Sequence, residues 1–156
     1  MQIYSFFQQP AEPRMYVQKG YLDVNIEPEF IWLDCVREDV VNRAETWQQE
    51  IFEKTNVWLN EYHLKDILNL EHPCAFDTMD DYDLLIFRKL ITPDDNVKTG
   101  ENALELHERV FGLSTTPISF IMTPQVLITV REKGNKAVEN YIARIETILT
   151  RHADDQ

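Results

Sequence analysis

Four aspartates fall within residues 77–83 of the chain, and Asp66 lies upstream of them. Hard divalent cations such as Mg2+ take oxygen ligands, keep several waters and often use only one or two carboxylates. Such a site leaves no strict spacing to detect, so the cluster is compatible with cation binding without specifying it. Aspartates at a turn also form turns and protect sheet edges. If the turn binds a cation, we expect Asp80 and Asp81 to be ligands.

No pattern of residues typical of catalysis accompanies the acidic cluster. The glycines are scattered, so no phosphate-cradling loop is predicted, and no nucleophile is paired with a base. The four histidines are isolated along the chain. His63 and Asp66 lie three residues apart on a predicted helix and could share a metal, although a surface pair is the more common arrangement. We therefore expect a protein that is not an enzyme.

The composition is that of one globular domain. The 156 residues are 44% hydrophobic and 11% aromatic, enough for a sizeable core. A net charge of −12 disfavours nucleic acid and anionic membrane surfaces. It is compatible with cations as partners, although a solvated acidic surface is the commoner explanation. Because no apolar run exceeds four residues, nothing in the chain predicts a membrane span, which needs about 20.

The two cysteines and the N-terminus point to a reduced, cytosolic setting. Cys35 and Cys74 are too few for a disulfide framework, and Cys35 closes an apolar run typical of a core. Neither cysteine belongs to a cluster with zinc spacing. The N-terminus has no basic region and only a short apolar stretch, so no secretory signal is predicted.

The hydrophobic pattern predicts an α/β fold, an α/β/α sandwich with a mixed parallel and antiparallel sheet. Alternating or continuous apolar runs predict strands, and an apolar residue every three or four positions predicts helices. Strands are predicted at 1–8, 14–18, 30–35, 74–79, 82–90, 118–122 and 126–131. Helices are predicted at 37–53, at 55–69 with Asn60 as a second starting point, and from Asn135 onward.

Several smaller features carry separate predictions. The strand over 30–35 is predicted to be buried on both faces. Asp34, near its end, is expected to cap the next helix or form a turn, with metal binding as the alternative. Residues 92–102 are polar and predict a mobile loop. Residues 104–113 fit a strand or a helix, and we favour the strand. The last helix presents an apolar stripe broad enough to pack on the sheet.

Three stretches resemble the CorA family of magnesium transporters. Asp66-Ile67-Leu68-Asn69, followed by His72-Pro73 and by the strand from Tyr82 to Phe87, is similar to the turn and strand of that family's main hairpin. The stretch from Ile118 to Glu132, with Leu-Ile-Thr-Val-Arg-Glu at its end, is similar to the hairpin that follows. Trp32-Leu33-Asp34 resembles the strand before the family's first helix. The resemblance covers essentially the whole chain.

The resemblance implies that residues 1–156 are the cytosolic N-terminal regulatory domain of a CorA-like ion channel, without its transmembrane part. The implied ion is Mg2+, both as regulator and as transported ion, with Co2+, Ni2+ or Zn2+ as other candidates and ZntB-like zinc transporters as relatives. It also implies a homopentamer at the cytoplasmic face of the inner membrane, with this fragment itself soluble. The alternative is a free-standing cytosolic interaction module without an ion role; an unrecognised hydrolase is the third hypothesis. A reading frame continuing into two membrane segments joined by Gly-Met-Asn would distinguish the first two.

The same resemblance assigns a role to Asp66. It matches the second member of an acidic pair that contributes to a divalent-cation site between subunits, and Lys65 stands where the family often has glutamate. The partner carboxylate would lie on a stalk helix outside this chain. Because one carboxylate beside a lysine cannot readily dehydrate Mg2+, we expect Asp66 to be a weak ligand in this fragment.

Overall fold

The computed structural model describes residues 1–8, 15–20, 27–91 and 114–154. Within these residues, strands form where apolar residues alternate or run together, and helices form where they recur every three or four positions. The strands are β1 Gln2–Gln8, β2 Met15–Lys19, β3 Phe30–Val36, β4 Ala75–Thr78, β5 Asp83–Leu90, β6 Thr115–Met122 and β7 Val126–Arg131. The helices are α1 Arg37–Asn42, α2 Ala44–Thr55, α3 Glu61–Leu68 and α4 Ala137–Asp154.

The strands form one sheet in the order β2-β1-β3-β7-β6-β5-β4. The β3–β7 pair is parallel, with Leu33 opposite Ile128, and the other described pairs are antiparallel. Parallel strands need a crossover, and the described part of the chain between β3 and β7 contains α1, α2, α3, the β4–β5 hairpin and β6. The predicted mixed sheet is therefore confirmed, including the four central strands expected from their apolar content.

Helices cover both faces of the sheet, as predicted. Side chains alternate along β3, so Leu33 faces one layer and Trp32 the other. The first core lies under α1–α3 and includes Leu33, Trp47, Ile51, Ile67, Ile86 and Ile128. The second lies under α4 and contains Tyr4, Phe6, Trp32, Val138 and Ile142. The buried alternation on β3 agrees with the prediction that this strand is covered on both faces.

One face of β5 is only partly covered, although the strand carries four apolar residues in a row, Leu84 to Phe87. Leu84 and Ile86 are buried beneath the α1–α3 layer, whereas Phe87 points to the opposite face and is 52% exposed. Its neighbour on that face in β4, Phe76, is 63% exposed. In the described residues, α4 packs on the β1 and β3 part of this face. It does not cover β5, so the apolar side chains of β5 on this face remain partly exposed.

The helical segments before β4 are shorter than predicted. The single helix expected over 37–53 is broken at Arg43, whose φ of −149° and ψ of 48° are not helical. The continuation after Asn56 is also absent, because Asn56 adopts a left-handed conformation that ends α2. Asn60 starts α3 instead, its side chain accepting from the N–H of Tyr62. The alternative start at Asn60 was thus the correct one.

Asp34 neither caps α1 nor forms a turn, so that prediction was wrong. Val36 is the residue before α1 and makes no side-chain cap. The Asp34 carboxylate is buried and accepts from the Thr129 hydroxyl at 2.9 Å and from Nε and Nη2 of Arg131 at 3.3 and 3.0 Å. The parallel register brings these β7 side chains onto the Asp34 face, a contact between residues 97 positions apart that local pattern cannot indicate.

Arg131 extends this network to the last helix. Its Nη2 also donates to Glu139 Oε1 at 3.1 Å, and its Nη1 donates to the carbonyls of Glu132 and Lys133. The predicted cap at Asn135 is confirmed, since its Oδ1 accepts from the N–H of Ala137. Val138 and Ile142 pack on the sheet, which confirms the expected role of the apolar stripe, while Ile148 farther along is half-exposed.

Two sequence predictions lie outside the described residues. They are the mobile loop over 92–102 and the strand over 104–113.

Arg131→Met is expected to lower the free energy of unfolding by about 3–5 kcal/mol, because it leaves the Asp34 carboxylate buried without its cation. Urea denaturation would measure the change. Arg144→Met on the exposed side of α4 is the matched control, expected within about 0.5 kcal/mol of the parent. If both variants lost equal stability, the buried pair would not be the cause.

The two cysteines are expected to differ in reactivity. Burial raises the pKa of the Cys35 thiol to about 12, although the indole N–H of Trp47 at 3.3 Å partly offsets this effect. Cys74 is exposed. At about pH 8, iodoacetamide should therefore modify Cys74 alone in the folded protein and both thiols in denaturant. Mass spectrometry after digestion would check this, and rapid native labelling of Cys35 would contradict it.

Candidate functional site: the acidic hairpin turn

Asp80 and Asp81 form the turn between β4 and β5. The hairpin register pairs Thr78 with Asp83, and the N–H of Met79 donates to the carbonyl of Tyr82 at 2.9 Å. Because short aspartate side chains tolerate turn geometry, this sequence closes the hairpin without glycine. The turn therefore projects both carboxylates from one end of the sheet.

A second turn lies beside the first, and an open cavity of about 350 Å³ separates them. The register of β5 and β6 places Asp83 opposite Met122, which brings the β6–β7 turn next to the acidic one. The lining residues are Met79, Asp80, Asp81, Tyr82, Asp83, Met122, Thr123 and Pro124. These described residues include three aspartates and a threonine, whose oxygen atoms suit a hydrated hard cation, and none of them is a lysine or an arginine.

Asp66 occupies different surroundings. Its Oδ1 lies 3.4 Å from Nε2 of His72. His72 precedes β4 and the acidic turn follows it, and a four-residue strand extends about 13 Å. The structure therefore brings Asp80 and Asp81 together in the turn and leaves Asp66 at the opposite end of β4. Within the described ranges, no group of three or more histidine, cysteine or acidic side chains is arranged to hold a metal.

Two arginines hold the backbone next to Asp66. Arg37 from α1 donates to the carbonyl of Leu68, and Arg88 from β5 donates to the carbonyls of Leu70 and His72. Lys65 pairs with Glu61 across one helical turn at 3.6 Å. Two arginines thus contact the backbone that follows Asp66, and their charge disfavours a divalent cation bound nearby through Coulomb repulsion.

His63 and Asp66 do not share a site, so that hypothesis was wrong. His63 is buried, with Nδ1 at 2.7 Å from the Tyr82 hydroxyl and Nε2 at 2.6 Å from Asp77 Oδ2. The same hydroxyl accepts from the N–H of Asn60 at 2.9 Å. Sequence reasoning missed this group, although the placement of His63 four residues before the apolar Ile67 was a signal that it lies on the buried face of α3.

Tyr82 connects this buried group to the acidic turn. Burial raises the pKa of its phenol, the N–H of Asn60 lowers it, and the charges of Asp77 and Asp81 raise it further. The net direction is upward, so the hydroxyl stays protonated and able to donate at neutral pH.

No protein-family model matches the sequence, and no curated protein does. The fold does match solved structures. The soluble domain of CorA from Methanocaldococcus jannaschii aligns with 94% of this chain at 14% identity and a TM-score of 0.57. The fold is that of a CorA-type soluble domain. The complete CorA magnesium transporter of the same organism aligns with 93% of this chain at 13% identity and a TM-score of 0.55.

A third solved structure has a similar fold. The ZntB cytoplasmic domain from Vibrio parahaemolyticus aligns with 97% of this chain at 16% identity and a TM-score of 0.52. This chain spans 46%, 37% and 50% of the three solved chains, in the order given. Among the helices of the described residues, none is both long and apolar enough to cross a membrane. At these identities the likeness establishes the fold.

Tyr82→Phe is expected to lower the free energy of unfolding by about 1–3 kcal/mol, because the Asn60 N–H and the His63 ring each lose a partner. Tyr62→Phe on the exposed surface of α3 is the control and should have little effect.

The parent should also lose stability at alkaline pH. Since the folded pKa of Tyr82 lies above 10.0, the phenol's contribution is present below that pH and lost as pH rises through the folded value. Denaturation midpoints across alkaline pH would show a smaller loss in Tyr82→Phe.

Proposed function

We propose that this chain is the cation-responsive soluble domain of a CorA-like divalent-cation transporter. The observation that carries the proposal is the alignment of 94% of the chain with the soluble domain of a CorA protein. The three sequence stretches that resemble the family fall on β3, on the end of α3 together with β5, and on the β6–β7 hairpin of this fold. The family resemblance and the fold therefore agree over the same elements.

The acidic turn is the part of this domain best suited to respond to a cation. Asp80, Asp81 and Asp83 line one cavity and repel one another when ionised. A divalent cation neutralises that repulsion and stabilises the state that binds it by RT ln(1 + [M]/Kd). The open cavity leaves room for the waters that Mg2+ retains. Asp80 and Asp81 are thus the proposed ligands, with retained waters completing the coordination.

In the intact transporter, the proposed assembly is a homopentameric ion channel at the cytoplasmic face of the inner membrane. Mg2+ is the proposed regulatory and transported ion; Co2+, Ni2+ and Zn2+ are the alternatives. Cation bound between subunits would favour the closed state through its higher affinity for that state. Asp66, which is partly exposed at the end of α3, would need a carboxylate from a neighbouring subunit, since its own surroundings are cationic.

The first experiment tests the acidic turn in this chain. Thermal unfolding is followed while MgCl2 is added at constant ionic strength. The parent should show a saturable rise in Tm, equivalent to about 2.7 kcal/mol when Mg2+ reaches about 100 times Kd. The double variant Asp80→Asn/Asp81→Asn should lose the rise. Asp39→Asn/Glu45→Gln removes the same charge from exposed positions on α1 and α2 and should keep it. An equal rise in both double variants would mean general screening rather than a site.

The second experiment tests Asp66 in a transporter that contains this domain and a membrane part. Asp66→Asn should leave the Mg2+ response of this chain alone unchanged. In the intact transporter it should reduce Mg2+ protection against proteolysis and raise ion flux at high internal Mg2+. If both protection and flux stayed at parental levels, Asp66 would have no regulatory role.

An interaction module without an ion role is the second candidate function. The half-exposed Phe76 and Phe87 on the open side of the sheet favour it, because exposed apolar side chains that adjoin one another often mark contact surfaces. The two functions differ in the first experiment. A module without an ion role would show no saturable Mg2+ response in the parent chain.

A further inference from the structure

His63 joins α3 to the β4–β5 hairpin through both of its ring nitrogens. Its side chain is 7% exposed, whereas that of its partner Asp77 is 59% exposed. An ionised Asp77 carboxylate has no hydrogen to donate and can only accept hydrogen bonds. Nε2 of His63 must therefore carry the hydrogen in the 2.6 Å contact. Neutral His63 is therefore the tautomer with hydrogen on Nε2, and its Nδ1 is an acceptor.

This tautomer completes a directed chain of hydrogen bonds. The N–H of Asn60 donates to the Tyr82 oxygen at 2.9 Å, and the Tyr82 O–H then donates to Nδ1 at 2.7 Å. His63 in turn donates to Asp77. Each polar hydrogen has an acceptor, and the chain links the start of α3 with the edge strand and with the residue before β5.

Protonation of His63 would reverse one link of this chain. Nδ1 would become a donor, so the buried Tyr82 hydroxyl would receive two N–H groups and lose the acceptor for its own hydrogen. The contact with Asp77 would gain charge and strengthen. Protonation would therefore weaken the contact of His63 with the buried Tyr82 and strengthen its contact with the exposed Asp77.

We propose that His63 is a protonation-sensitive latch: when neutral it accepts from the Tyr82 hydroxyl and fixes the β4–β5 hairpin against α3, and when protonated it leaves that hydroxyl hydrogen without an acceptor and weakens the hold. The latch rests on the contacts of His63 and does not require a bound cation. The charged and titratable groups around it are Asp77 on β4, Asp81 in the turn and Tyr82 before β5. On α3 itself, Glu61 pairs with Lys65, and Asp66 contacts His72.

The amide of Asn60 reports on the latch, because its hydrogen bond ends on the Tyr82 hydroxyl. Hydrogen exchange is measured by NMR and expressed as protection relative to the intrinsic rate, which removes the direct effect of pH. Protection of Asn60 should fall about tenfold between about pH 8 and about pH 5 in the parent. His63→Gln, which can donate to Asp77 but does not titrate, should abolish this fall. His72→Gln changes the histidine beside Asp66 and should behave like the parent.

Two results would overturn the latch. One is protection of Asn60 that does not vary with pH in the parent, and the other is an equal fall in His63→Gln. If His63→Gln fails to fold, the ring nitrogen shifts of His63 in the parent decide the matter. Hydrogen on Nε2 at neutral pH supports the latch, and hydrogen on Nδ1 excludes it.

Discussion

The buried ion pair between Asp34 and Arg131 is the contact on which the arrangement of the central strands and the last helix depends. Burying two charges is costly unless geometry and further hydrogen bonds compensate. Here the guanidinium donates twice to one carboxylate oxygen, the Thr129 hydroxyl satisfies the other, and the Trp32 indole donates to that hydroxyl. These groups lie on β3 and β7, the parallel pair at the middle of the sheet. Because Arg131 also donates to Glu139, the same network contacts the first turn of α4.

The position of the acidic turn is determined by the strands that lie between the β3–β7 pair and the edge of the sheet. β7 fixes β6 by antiparallel pairing, β6 fixes β5, and β4 completes the edge. The register of each strand pair fixes the position of the next strand, and so fixes the β4–β5 turn beside the β6–β7 turn. The aspartates of the β4–β5 turn line the cavity between the two turns. On the other side, His63 and Tyr82 tie the hairpin to α3, so the turn is held by the sheet and by a helix. An ion or a proton acting at this end of the molecule would thus act on a supported hairpin rather than on a free loop.

The low identity to the CorA and ZntB domains shows how little of the sequence the fold requires. The core positions need apolar side chains of suitable size, and volume-conserving changes among them are tolerated. Exposed charged positions are less constrained by the fold than core positions are. Two proteins with the same fold can therefore differ in the residues that bind a metal. The cationic groups around Asp66 illustrate this point, since they oppose a cation at the position the family resemblance assigned to one.

The sequence by itself determined the element types, the α/β class and the mixed sheet, together with the capping roles of Asn60 and Asn135. Those features depend on periodicity and on capping between near neighbours, which a local pattern records. Only the tertiary structure decided that Asp34 pairs with Arg131, that His63 is buried against Tyr82, and that Asp66 is separated from Asp80 and Asp81. It also decided the break at Arg43 and the exposure of Phe87. The reason is physical: the partner of a polar group and the covering of a strand face depend on residues far away in the chain, and a one-dimensional pattern does not contain those distances.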